Sequence, residues 1–225
     1  MNIENIPKLW KNKFFQFKDF SNIMQTITNE YNNNNNKIYP SLNNIFNAFQ
    51  HFDFNETKIV ILGQDPYYSH DFANGIAFGI NNSNNKIPPS LKNIKKELKN
   101  DLNIELDDLS LLKWCKQKIL LLNTSLTVIH NKPTSHIKIW KEFIKYIINL
   151  LNNELENIIF IAWGRNAHQL LLDINTNKHK LLISSHPSPL SFNKSYNIYP
   201  PFNNSKPFSM INKTLKNYNF SEINW

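Results

Sequence analysis

Four short apolar runs punctuate the chain: KIVIL at 58–62, ILLL at 119–122, NIIFIAW at 157–163 and KLLIS at 180–184. Each has strand length, and each is continuous rather than alternating, the pattern of strands buried on both faces of a parallel sheet. The intervals between them carry the helical period. Ile139, Phe143 and Ile147 fall at near-helical spacing within 135–151. Helical stretches are also predicted at 90–99 (after Pro88-Pro89), 109–118 and 206–217, with an N-terminal helical layer over 10–29 and 41–52. Alternating strands and helices joined by right-handed crossovers predict an α/β fold, a central four-stranded parallel sheet flanked by helices on both faces in three layers, α/β/α. With no internal repeat or long linker, the 225 residues are expected to form one domain over 1–225. The asparagine-rich tracts at 31–37 and 81–86 read as solvated loops.

In open α/β sheets ligands bind in the crevice outside the carboxyl ends of the strands. The first strand runs into Gly63-Gln64-Asp65-Pro66-Tyr67 and the second ends at Asn123. The third ends at Gly164-Arg165 and the fourth at His186-Pro187-Ser188-Pro189-Leu190. Polar or glycine-bearing segments therefore converge on one edge, which predicts a composite site containing Asp65, Asn123 and His186. A carboxylate there can deprotonate a water as general base, or simply cap a turn. A buried amide must satisfy its donors and acceptor, through backbone or by reading a planar heterocycle. His186, neutral or as imidazolium, can stabilise developing negative charge, or it is a satisfied core histidine.

Composition narrows the class. The chain holds 39 Asn and 24 Lys but one Arg, five Ala and four Gly (Gly63, Gly75, Gly79 and Gly164). Glycines kept in a chain that otherwise avoids them are expected where the backbone needs them. The net charge of +8 suits a polyanionic partner, although lysine drift under an AT-rich coding bias raises it too. A single cysteine, Cys115, excludes an intramolecular disulfide framework and cysteine-held metal clusters. The seven histidines show no ligand spacing, so no metal is expected, and 63–79 matches no glycine-rich nucleotide loop. No apolar run approaches the roughly 18–20 residues of a membrane span, and MNIENIPKLW lacks a signal-peptide layout. An intracellular, cytoplasmic protein is expected.

The segments GQDPYY (63–68), ANGIAF (73–78), IPPSL (87–91), LLLNTSLTV (120–128), SH (135–136) and HPSPLS (186–191) closely resemble the uracil-DNA glycosylase family of the uracil-N type, in order and over nearly the whole chain. The GQDPY and HPSPLS boxes together are far more specific than one short motif. The resemblance implies a DNA repair glycosylase that flips uracil out of DNA and hydrolyses its N-glycosidic bond, with no metal or organic cofactor. It implies that Asp65 activates the water that attacks C1′ and that His186 stabilises the leaving uracil at O2. Asn123 would pair with uracil O4 and N3–H, Phe78 would stack on the base, Tyr67 would exclude a C5 methyl, and backbone around Gln64 would help hold O2. Ser90 with Pro88 and Pro89, Gly164, Arg165 and Ser188 would contact DNA, and Leu190 would wedge into the space left by the base. Single- and double-stranded DNA is the implied partner of a monomer, and whether an inhibitor or replication protein also binds is left open by the sequence.

The chain also departs from the family pattern. Tyr68 stands where His is usual, Ser69-His70-Asp71 replaces a Gly/Pro stretch, Gly79 replaces Ser, and Arg165 replaces Ser. Residues 192–207 make a segment about six residues longer than the family's, without its glycines. Two other readings are a non-catalytic DNA-binding protein that keeps the fold and a glycosylase with another lesion preference. Joint retention of Asp65, Asn123, Phe78, Tyr67 and His186 speaks against the first, and the Asn123–Tyr67 pair against the second.

Overall fold

The computed structural model describes residues 3–33, 37–69, 72–81 and 86–225. Parts of the two asparagine-rich tracts (34–36 and 82–85), together with His70 and Asp71, lie outside the described residues.

In chain order the elements are α1 (Lys8–Gln16), α2 (Phe20–Asn32), β1 (Ile38–Tyr39), β2 (Ile59–Gly63), α3 (Pro89–Leu102), α4 (Leu112–Cys115), β3 (Ile119–Asn123), β4 (Val128–Ile129), α5 (Ile137–Glu154), β5 (Ile159–Trp163), α6 (Arg165–Leu170), β6 (Lys180–Ser184) and α7 (Pro207–Asn217). The four apolar runs are the four strands of one parallel sheet, in the order β3-β2-β5-β6. Gly63 pairs with Asn123 and Trp163 with Ser184, so the carboxyl ends lie level along one edge.

Side chains alternate between two cores, as a strand's period of two requires. Val60, Leu62, Leu120, Leu122, Phe160 and Ala162 face a core shared with α1, α2, α5 and α6, where Trp10, Phe14, Phe49 and Phe143 pack edge to face. Ile59, Ile61, Ile119, Leu121, Ile159 and Ile161 face the opposite core with α3, α4 and α7. The predicted three layers are present.

Three helical expectations are corrected. The 10–29 stretch is two helices, because Phe17 takes an extended backbone (φ −74°, ψ 116°) and ends α1. The 41–52 stretch forms only two 3-10 turns, Leu42–Asn44 and Asn47–Phe49. The Asn47 side chain bonds the carbonyl of Asn74 (2.7 Å) and the His51 ring (3.2 Å), which ties this segment to the one that carries Asn74. In 109–118 only Leu112–Cys115 is α-helical, since Leu111 is left-handed (φ 59°) and the Asp108 carboxylate accepts the N–H groups of Ser110 and Lys113. The two-residue antiparallel pair β1–β4 and the short helix α6 were not foreseen, being too brief for periodicity to register. Among the described residues no helix is long and apolar enough to cross a membrane.

The long return from β6 to α7 is anchored on α3. Buried Glu97 accepts the backbone N–H groups of Asn204 (2.8 Å) and Lys206 (2.9 Å), and Asp101 accepts both the N–H and the hydroxyl of Ser209. Charged acceptors give strong hydrogen bonds, so the extra length of 192–207 is tied down on α3.

Candidate active site

At the carboxyl edge of the sheet lies a cleft of about 530 Å³. Gln64, Asp65, Tyr67, Phe78, Pro88, Pro89, Ser90, Asn123 and His186 all line it, together with Pro66, Tyr68, Ser69, Phe72, Pro133 and Pro189. A smaller hollow of about 300 Å³ along the outer strand β6 presents no carboxylate, imidazole or amide.

Asp65 sits two residues beyond β2. Its Oδ2 accepts the backbone N–H of Thr134 (2.9 Å) and a long contact from Gln64 Nε2 (3.5 Å), while its buried Oδ1 has no hydrogen-bond partner among the described residues. Burial pushes the carboxyl above its usual range, opposed by the Thr134 and Gln64 hydrogen bonds. One oxygen is thus fixed and the other left as an acceptor at the cleft. Thr134 is itself left-handed (φ 64°), a conformation that strains a β-branched residue. No pattern in the sequence marked it.

His186 is resolved in favour of the neutral imidazole, because burial lowers its pKa to about 4. The tautomer is set as well. The backbone N–H of Ser188 donates to Nδ1 (2.9 Å), so Nδ1 is an unprotonated acceptor and the proton resides on Nε2. The ring lies 6.0 Å from that of Phe78.

Asn123 ends β3 at 6% exposure and lines the cleft, and its side-chain amide makes no hydrogen bond to another described residue. Its polar atoms are not among the fully buried unsatisfied ones, so they reach the cleft and can offer both donors and an acceptor to a ligand. Gly63 lies directly beside the amide: a Cβ at that position would overlap Asn123 Oδ1 and come within 2.9 Å of Ala77 Cβ. Gly63→Ala is therefore expected to cost about 1–3 kcal/mol by overpacking and to displace the amide, raising KM for the substrate that the amide pairs with. Thermal unfolding and steady-state kinetics check both effects, and an unchanged KM would contradict the packing argument.

Phe78 is an aromatic residue in the left-handed region (φ 65°), a position that costs energy and is found where function demands it. The surroundings enforce it. Tyr67 donates its hydroxyl to the Phe78 carbonyl (3.3 Å), Ala77 N–H bonds the Leu121 carbonyl (3.1 Å), and Trp163 packs against the ring at 5.3 Å. Asn74, buried and unmarked in the sequence, accepts the N–H of Ile76 and donates to the carbonyl of Ser110. Burial pushes the Tyr67 hydroxyl far up, so it stays protonated.

The expected DNA contacts surround this cleft. Pro88, Pro89 and Ser90 enter α3, and Asn93 ties that helix to the Pro187 carbonyl (2.7 Å). Ser188 holds Ser191 (2.9 Å) as well as His186, and Leu190 projects at 83% exposure. Gly164 and Arg165 lie outside the main cleft, in an adjoining hollow of about 160 Å³ that shares Gln64 and His186 with it. Gly164 has φ 92°, and a Cβ there would meet His186 Cβ at 2.8 Å, so glycine is required beside the histidine. Asn166, also unforeseen, donates to Gln64 Oε1 (3.2 Å). Among the described residues no group of three His, Cys, Asp or Glu side chains is placed to hold a metal ion.

Known proteins resemble this chain in sequence and fold. The profile of the Uracil DNA glycosylase superfamily matches residues 49–216. The uracil-DNA glycosylase of Fusobacterium nucleatum is 43% identical over 213 residues, covering 94% of this chain and 90% of that one. That of Christiangramia forsetii is 38% identical, with all of both chains covered. The crystal structure of mimivirus uracil-DNA glycosylase superposes with a TM-score of 0.89 at 29% identity, covering 100% of this chain and 89% of that one, and variants of the mimivirus protein have been solved in complex with UGI. The fold, the cleft and these relatives agree: the chain belongs to the uracil-DNA glycosylase superfamily.

Proposed function

We propose the following division of labour in a chain that starts base excision repair by hydrolysing the N-glycosidic bond of uracil in DNA. A base inside a duplex cannot be reached, so it is extruded at a cost of a few kcal/mol. Contacts from Ser90, Ser188, Gly164 and Arg165 to phosphates, with Leu190 entering the vacated space, offset that cost. The +8 charge adds non-specific affinity that falls with salt. In the cleft Phe78 stacks on uracil, and Tyr67 closes the space a 5-methyl group would need. The Asn123 amide pairs with O4 and N3–H.

Bond cleavage leaves positive charge on the sugar and the bonding electron pair on uracil N1, delocalised to O2. The Nε2–H of neutral His186 donates to that oxygen, a preorganised contact worth about 3–4 kcal/mol by analogy with oxyanion holes. Asp65 Oδ1 takes a proton from the water that adds to C1′. The products are an abasic site and the uracil anion, which leaves as free uracil on taking up a proton equivalent to the one Asp65 then releases to solvent. The observation that carries this reading is the meeting in one cleft of an unpartnered Asn123 amide, an Asp65 oxygen free to accept a proton and a histidine whose proton is directed to Nε2.

The same reading assigns the whole reaction to one domain over 1–225, acting as a cytoplasmic monomer on single- and double-stranded DNA without a cofactor. It leaves the cleft as the place where an inhibitor or replication partner would bind. Mass-spectrometric identification of free uracil released in EDTA tests it. Release confirms the chemistry, and a requirement for added metal would overturn the cofactor-free mechanism.

The protonation states predict a pH profile. Asp65 must be ionised, and its raised pKa places the acid limb of kcat/KM above its ordinary value of 3.8. His186 acts neutral, and its lowered pKa keeps it so through the neutral range. His186→Gln should therefore lower kcat and still leave an acid limb, because Asp65 must remain ionised. Loss of the limb with this substitution would assign it to the histidine instead.

A further inference from the structure

The long return segment carries an element that the chemistry above does not use. Tyr196 and Tyr199 exchange both backbone hydrogen bonds (3.1 and 2.8 Å), their rings stack at 5.8 Å, and Asn197 turns the chain with φ 52°. Ile198 stands at the tip of this small hairpin with 90% exposure. Single exposed apolar residues are ordinary on protein surfaces. This one differs in its bracing and in its place. Tyr196 OH lies 3.4 Å from His168 Nδ1, and the Tyr199 ring lies 5.0 Å from the same imidazole. The N–H of His168 bonds the Gly164 carbonyl (3.1 Å), so the brace stands one helical turn from Gly164-Arg165. In sequence the hairpin follows Leu190 through a short turn, closed by the Lys194 N–H on the Ser191 carbonyl (2.9 Å), with Lys194 exposed.

We propose that the 195–199 hairpin is a second apolar contact on duplex DNA, with Ile198 meeting the groove face of base pairs beside the extruded nucleotide and Lys194 and Arg165 meeting flanking phosphates. The inference rests on the DNA-glycosylase reading above. Two observations favour DNA as the occupant: continuity with the segments that carry Leu190 and Arg165, along the chain and through His168, and the exposed cationic side chains of Lys194 and Arg165 in those segments. Proteins that kink DNA through the minor groove use apolar side chains of this kind against base steps.

Fluorescence anisotropy on a uracil-free duplex carrying one tetrahydrofuran abasic site, which presents the vacated base position, and on the same strand unpaired tests the proposal with wild type, Ile198→Ser and Ile198→Leu. Burial of one large aliphatic side chain implies that Ile198→Ser weakens duplex binding about tenfold. Single-strand binding should change far less, and Ile198→Leu should restore most of the duplex affinity. Unchanged duplex affinity, equal losses on both substrates, or a lowered unfolding temperature in Ile198→Ser would each overturn it. Unchanged duplex affinity would point instead to a protein partner for this tip. Because binding is read on uracil-free DNA, the outcome stays separate from whether uracil is released.

Discussion

Asp65→Asn is expected to lower the single-turnover rate of uracil release by about 10²–10⁴-fold, the usual contribution of a positioned general base. The substitution keeps the shape of the side chain and leaves an oxygen to accept the Thr134 N–H, so the loop after β2 should hold its conformation. What it removes is the basicity of Oδ1, the oxygen with no other partner. DNA affinity should stay close to wild type, because Asp65 contributes negative charge to a cleft that receives a polyanion. Rapid-quench kinetics beside anisotropy on a non-cleavable uracil analogue separate the two quantities. Equal losses in rate and affinity would make Asp65 a structural turn residue.

Asn123→Asp is expected to change what the cleft accepts. The wild-type amide offers a donor to O4 and an acceptor to N3–H, whereas cytosine presents an amine and an unprotonated ring nitrogen at those positions. A site built to hydrogen-bond its substrate rejects the wrong pattern by roughly 10⁴–10⁵-fold, since buried groups would be left unpaired. A carboxylate accepts from the cytosine amine, so Asn123→Asp should slow uracil release and raise cytosine release above background. Parallel assays on oligonucleotides with one uracil or one cytosine measure the ratio. Complete rejection of cytosine with retained uracil release would show that another group performs the discrimination.

Much of this site was legible in the sequence because the sheet is parallel. Continuous apolar runs identify such strands, and parallel strands deliver their following residues to one edge, where Asp65, Asn123 and His186 do meet. The asparagine-rich composition made the four glycines informative as well. Gly63 makes room for the Asn123 amide and Gly164 for His186.

What was not legible depends on backbone geometry. Thr134 and Asn74 act through a main-chain N–H and a turn, to which no periodicity points. The tautomer of His186 follows from one backbone donor two residues on. The Phe78 conformation follows from a hydroxyl eleven residues before it in the chain. The helix misassignments at 10–29, 41–52 and 109–118 have different local settings. In the first an extended residue interrupts an otherwise apolar helical pattern, in the second an Asn side chain bonds a carbonyl far along the chain, and in the last an Asp side chain bonds nearby backbone N–H groups.

Of the departures from the family pattern, Tyr68 and Ser69 line the cleft and Arg165 lies in the adjoining hollow. Tyr68, in the place of the usual histidine, lines the cleft and is 42% exposed, so it adds an aromatic wall without entering the hydrogen bonds that position Asp65. The added length in 192–207 is anchored by Glu97 and Asp101 at its distal end and projects Ile198 nearer its start. The acid–base groups themselves are untouched by these changes.

The most direct measurement of the central claim uses one oligonucleotide with a single uracil among cytosines and thymines, incubated with the protein in EDTA and then treated with alkali. The account predicts strand cleavage at the uracil position alone. Absence of cleavage, or cleavage at cytosine or thymine, would contradict it.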